Sequence, residues 1–169
     1  MKKIFTILTI LTVAFTCKAQ HTNLTDTELF DGIKFDNISL GAIMRTQGDL
    51  TKIKVLFKED FAEEEGNNVS IIMDKYISNK NYYFGFEDDT NTGNEYYLML
   101  ITVLDPSVVV NVQNLSVSIG DHKRKFGNML ISSNSYSYNF LDADTGSAHL
   151  SFKIDRATNK VTAIKFVLY

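Results

Sequence analysis

From Tyr82 to the end the chain is a succession of short runs rich in β-branched and aromatic residues, and the loops at 88–94 and 155–159 between them are too short for a crossover. Residues 82–87, 95–104, 108–112, 115–119, 136–141, 150–155 and 161–169 fit that pattern, as do 69–73 upstream, with Gly, Asn, Asp or Ser between them. Parallel pairing needs a connection of roughly a dozen residues or more, whereas Asp88-Asp89-Thr90-Asn91-Thr92-Gly93-Asn94 and Asp155-Arg156-Ala157-Thr158-Asn159 suit hairpin loops. The sheet should therefore be antiparallel. Leu150, Phe152 and Ile154 alternate with Ser151, Lys153 and Asp155, so that strand buries one face, while Tyr96 to Leu104 is apolar at both parities and belongs in the middle of the sheet.

Helical signals are few. Thr46-Gln47-Gly48-Asp49 resembles a capping box, and Leu50, Ile53 and Phe57 follow at helical spacing with Lys52, Lys54 and Lys58 between them, which predicts a helix over residues 49–58. Thr25 with Glu28 suggests one further turn of helix before Gly32, and residues 121–126 another short one. Glu63-Glu64-Glu65 followed by Gly66 reads as an exposed loop, since three carboxylates oppose the negative end of a helix dipole. The expected fold is α+β, a mainly antiparallel sheet with one or two short helices packed on one face.

The first residues are an address. Lys2 and Lys3 precede an apolar run from Ile4 to Phe15, about 12 residues long and short of the roughly 20 a spanning helix needs; Cys17-Lys18-Ala19 then offers a small-x-small cleavage triplet. Residues 1–19 are expected to be a signal peptide and 20–169 a single exported domain, in the periplasm, on the cell surface or outside the cell. Thr16 and Ala14 occupy places where a lipoprotein signal prefers a small residue and Leu, so cleavage after Ala19 is preferred to a lipid anchor at Cys17. The one cysteine then leaves with the leader, and stability rests on core packing. About 150 residues can bury about 70% of their unfolded surface, enough for one domain.

Charge excludes one class of partner. The chain holds 17 basic and 20 acidic residues, and loss of Lys2, Lys3 and Lys18 leaves 14 against 20, a shift from -3 to -6. A nucleic-acid binder needs the opposite sign. Lys123-Arg124-Lys125 is a short solvated cluster.

Two segments echo each other. Phe35-Asp36-Asn37-Ile38-Ser39-Leu40-Gly41 precedes the helix closing at Leu56-Phe57, and Val112-Gln113-Asn114-Leu115-Ser116-Val117-Ser118-Ile119-Gly120-Asp121 precedes a basic segment closing at Phe126-Gly127. Strands follow each, and the chain finishes in a hairpin, 150–155 with 160–166. The pattern resembles the small secreted α/β modules of the SmpA/OmlA outer-membrane assembly type and the β-lactamase inhibitor protein. The resemblance implies tandem pseudo-repeats over 33–104 and 112–169, and a non-catalytic module that binds another protein.

Reactive machinery is sparse. The three histidines, His21, His122 and His149, lie apart from any Gly-x-Ser-x-Gly elbow, and none has a second ligand at zinc spacing. Glu87-Asp88-Asp89 with Asn91 and Glu95, and Asp142-Ala143-Asp144, gather oxygens without the spacing of a calcium loop, so hairpin loops are the better reading. No enzyme, metal or cofactor is expected. Aromatics are the remaining candidates: Tyr82, Phe84 and Phe86 should pack inward with Tyr83 facing the other way, and any outward Tyr can serve an interface. Tyr83, Tyr96, Tyr97, Tyr136 and Tyr138 are the candidate binding residues, with a protein as the expected partner and a glycan or small ligand as the alternative. The absence of Trp weakens the glycan reading.

Overall fold

A computed structural model describes residues 31–65, 73–88, 93, 96–127, 135–142 and 146–169. The expected leader with Cys17, the expected helical turn at Thr25–Glu28, His21, residues 69–72 of one expected strand, Glu95 and most of the expected loops at 88–94 and 142–144 lie outside that set. The elements run β1 (Ile33–Phe35), β2 (Ile38–Ser39), α1 (Leu40–Met44), α2 (Leu50–Phe57), β3 (Ala62–Glu65), β4 (Lys75–Ser78), β5 (Tyr82–Glu87), β6 (Tyr97–Val103), β7 (Val110–Val112) and β8 (Leu115–Val117). A 3-10 turn (Lys123–Phe126) then leads to β9 (Ser135–Asp142), β10 (Gly146–Ile154) and β11 (Val161–Leu168). The fold is α+β with two antiparallel sheets, ordered β2-β1-β7-β8 and β3-β4-β5-β6-β11-β10-β9. No described helix is long and apolar enough to cross a membrane.

Topology follows from the turns. Asp36 and Asn37 close the β1–β2 hairpin with positive φ at both positions, a conformation Asp and Asn tolerate better than most residues. Gln113 takes positive φ between β7 and β8. β1 pairs with β7, so the two hairpins lie side by side and put the Ile38-Ser39 and Leu115-Ser116 strands at opposite edges of the small sheet. In the large sheet the meanders β3 to β6 and β9 to β11 meet through their last strands, β6 with β11. β6 is the fourth of seven strands, the central place its doubly apolar pattern requires.

One core joins both sheets. Ile33, Phe35, Val110 and Val112 of the small sheet pack with Leu40, Ile43 and Ile53 of the helices and with Phe84, Ile101, Phe166 and Leu150, which share one register line across the large sheet. The tight aromatic group Phe57, Phe61, Tyr82 and Phe84, with ring centroids between 5.0 and 5.8 Å apart, fixes α2 onto that sheet. Such pairs add roughly 0.5–1.5 kcal/mol each beyond the area they bury.

Two local readings are corrected and one helix is added. Asp49, not Thr46, caps α2: its Oδ1 accepts from the Lys52 N–H at 3.0 Å, while the buried Thr46 hydroxyl donates to the Ile43 carbonyl at 2.7 Å and closes α1 instead. α1 itself is a separate helix, capped by Ser39, and the chain turns between the two at Gln47 and Gly48, both at positive φ. Glu63 to Glu65 form an edge strand rather than a loop, because their backbone completes the ladder with β4 and Glu63 meets Lys75 Nζ at 3.2 Å.

Candidate functional site

Side-chain alternation divides β4, β5 and β6 into an inner and an outer face. Ile77, Tyr82, Phe84, Phe86, Leu98, Ile101 and Val103 point inward and are buried. Tyr76 and Ser78 of β4, Tyr83, Gly85 and Glu87 of β5, and Tyr97, Leu100 and Thr102 of β6 hold the opposite face. A register shift between Gly85 and Phe86 lets Leu98 and Ile101 both face inward with Leu100 outward between them.

The outer face carries the candidate site. Tyr76 and Tyr83 lie diagonally across the β4–β5 ladder with their rings stacked, centroids 5.0 Å apart and planes 29° apart. Desolvation pushes the Tyr83 hydroxyl up to about 12, helped by the neighbouring Tyr76 hydroxyl and the Glu64 carboxylate, so it remains a neutral donor throughout the physiological range. Two residues along β5 is Gly85. A Cβ there would sit 3.2 Å from both Met73 Sδ and Leu100 Cβ, so the missing side chain opens a notch that Met73 fills. Tyr97 continues the strip opposite Glu87 and is 44% exposed. Val167 extends it, through its register with Leu100, onto β11. The result is a sheet face on which Tyr76, Tyr83, Tyr97 and Val167 reach the surface around the buried Met73 and Leu100, flanked by Ser78, Thr102 and Lys165.

The five candidate tyrosines separate. Tyr83 and Tyr97 share this face. Tyr96 turns the other way, packed against the core with the Lys75 ammonium 4.4 Å above its ring and its Cβ beside Gly48. Tyr136 and Tyr138 are core residues, 2% and 7% exposed, and this corrects the expectation that they offer contact surface. Tyr136 stacks on Phe126 at 3.9 Å and Tyr138 meets Phe152 edge-on, while Ser135 and Ser137 take the opposite parity. Two residues of the site were not found from sequence. Tyr76 lies on a four-residue strand whose one signal is the alternation around Ile77, and Met73 was read as the end of an earlier strand.

A second polar group sits where β1, β5 and β6 end. Tyr82 donates to Asp36 Oδ2 at 2.5 Å, and Asp36 Oδ1 accepts from the Val109 N–H at 2.8 Å. Burial, then Asp36, raises the Tyr82 hydroxyl far above its ordinary value. Glu59 accepts from the Asn79 and Asn81 amides at 2.6 and 2.9 Å, and Asn79 Oδ1 accepts from the Asn81 and Tyr82 N–H groups. The carboxylates Asp36 and Glu59 are thus engaged in holding the β4–β5 turn and the β6–β7 connection. His122 Nδ1 accepts from the Arg124 N–H and caps the 3-10 turn, and His149 is half-buried in the middle of β10. Among the described residues no three His, Cys, Asp or Glu side chains converge as a metal ion requires.

No protein-family model, curated protein or solved structure matches the chain.

Proposed function

We propose that this is an exported, non-catalytic binding protein that engages another protein through the outer face of its large sheet, in an inhibitory, protective or assembly role. The observation that carries the reading is the outward row of Tyr76, Tyr83 and Tyr97 on the central strands of the large sheet, beside the buried Met73 and Leu100 at Gly85. Tyrosine is enriched at interface cores, where it brings large apolar area at low entropic cost. Lys165 and Glu87 at its margins supply the polar rim. A glycan platform fits less well, because Tyr76 and Tyr83 stack on each other and cover ring faces that a sugar would use. The leader expected at 1–19 supports the same placement outside the cytoplasm.

The test is affinity capture from envelope and culture-supernatant fractions with the mature chain as bait. One stoichiometric protein is expected with the wild type and not with Tyr83→Ala/Tyr97→Ala, whose fold is checked by thermal melting. Undiminished capture by the double variant refutes the assigned face, and binding to a glycan array lost in that variant refutes the protein partner.

A further inference from the structure

Charge divides the chain unevenly. Residues 20–104 hold 7 Lys and Arg against 15 Asp and Glu, whereas residues 105–169 hold 7 against 5. Lys123-Arg124-Lys125 alone is an ordinary solvated run, but the fold adds to it. The Gly120 N–H donates to the Val161 carbonyl, the Val161 N–H to the Asp121 carbonyl and the Lys123 N–H to the Asn159 carbonyl. The segment entering the 3-10 turn therefore lies along the start of β11, with His122 and Lys160 opposite each other in an antiparallel bridge. Lys160 thereby joins Lys123 and Arg124, and Lys153 stands two residues before the same β10–β11 turn. The carboxylates in these segments serve local bonds. Asp121 accepts from the Ser118 N–H and from Lys125 Nζ, both at 2.7 Å, and Asp155 accepts from the N–H and the hydroxyl of Thr158 at 2.8 and 2.6 Å. Lys123, Arg124 and Lys160 make no ion pair among the described residues.

The chemistry of this patch selects among anions. A single bound phosphate is held best by converging backbone N–H groups, and here they are taken: the Lys123 N–H by Asn159, the Arg124 N–H by His122 Nδ1 and the Lys125 N–H by the His122 carbonyl. Anions must be met by side chains spread over two turns, which suits an array of negative groups rather than one. Neither 121–127 nor 153–160 exposes a large apolar side chain, Phe126 and Ile154 being buried, so attraction is by charge without insertion, as basic segments hold to anionic headgroups. We propose that this end of the molecule seats on an anionic lipid surface, with Lys123, Arg124 and Lys160 over the headgroup phosphates. A flexible polyanion can fold back along the domain onto the surplus of carboxylates in residues 20–104 and is repelled there, whereas a flat surface meets this end alone. β6 runs from Tyr97 to Val103, and Val103 pairs with Ile164 near the start of β11, so Tyr97 stands at the other end of the strands and the outer sheet face stays open.

The test is vesicle co-sedimentation with residues 20–169, which contain every described element and lack the apolar leader that would itself enter lipid. Binding is expected to phosphatidylglycerol vesicles and not to phosphatidylcholine vesicles, with release at about 1 M salt, where charge is screened within roughly 3 Å. Arg124→Glu/Lys160→Glu should weaken it about tenfold or more, since each cation near such a surface contributes about fivefold. Arg45→Glu/Lys52→Glu makes the same change of charge at exposed positions in the helical region and should weaken binding far less. Unchanged melting temperatures confirm that both variants are folded. Equal losses in the two double variants, no preference between the two vesicle types, or tighter binding to a DNA duplex or to inorganic phosphate than to the anionic vesicles would each overturn the assignment.

Discussion

β5 and β9 are both tyrosine-rich strands of the same sheet, yet one presents tyrosine to the surface and the other hides it. In β5 the aromatic run Tyr82-Tyr83-Phe84 occupies both parities, so one ring must emerge on the outer face whichever phase the strand adopts. In β9 the order Ser135-Tyr136-Ser137-Tyr138 puts both rings at one parity and both hydroxyls at the other, and the core takes the rings. Residue type is the same in the two strands; phase against the core decides which tyrosines can touch a partner. Aromatics at both parities leave one ring outside the core, whereas aromatic-serine alternation lets the core take every ring.

The sharpest way to break that contrast is to truncate one ring of each kind. Tyr136→Ala removes a buried ring stacked on Phe126 and should cost about 3–5 kcal/mol, whereas Tyr97→Ala should stay within about 0.5 kcal/mol of wild type in denaturant unfolding. Comparable losses at the two positions would contradict the assignment of faces. Adjacent residues on β5 sharpen it further. Tyr82→Phe deletes the bond to Asp36 and should cost about 1–2 kcal/mol, while Tyr83→Phe, on the outer face, should lose less than half as much and act instead on partner affinity.

The smallest effect concerns pH. Burial holds His149 below the ordinary histidine value of 6.5, so folding favours the neutral ring. Stability from that preference is fully present above 6.5 and is lost as pH falls through the unfolded value toward the lower folded one. Thermal melts at pH 7.5 and 5.0 should therefore show a larger drop for wild type than for His149→Gln, and equal drops would show that the ring is as well solvated as in the unfolded chain.

Much of the architecture was legible because it rests on short-range patterns. β5 was bounded correctly by its aromatic alternation, β11 nearly so by its apolar run, and α2 by Leu50, Ile53 and Phe57; loops too short for crossovers required antiparallel pairing. What escaped depends on contacts distant in the chain. Glu63 to Glu65 became a strand because β4 and Lys75 were there to pair with them, and Thr46 lost the capping role to Asp49 because two positive-φ residues turn the chain between them. The site was half legible. Tyr83 and Tyr97 were expected at a surface, but Tyr136 and Tyr138 were grouped with them because composition was weighed without phase. Tyr76 and Met73 enter the site through a diagonal ring contact and the notch at Gly85, neither of which has a signature in one strand alone.

Photo-crosslinking tests the central claim most directly. With Tyr97→p-benzoylphenylalanine on the outer sheet face and Ala157→p-benzoylphenylalanine in the β10–β11 turn as control, irradiation in exported fractions should give one discrete protein adduct from position 97 and none from 157. Adducts of equal yield at both positions, or none at 97, would contradict a protein-binding role for that face.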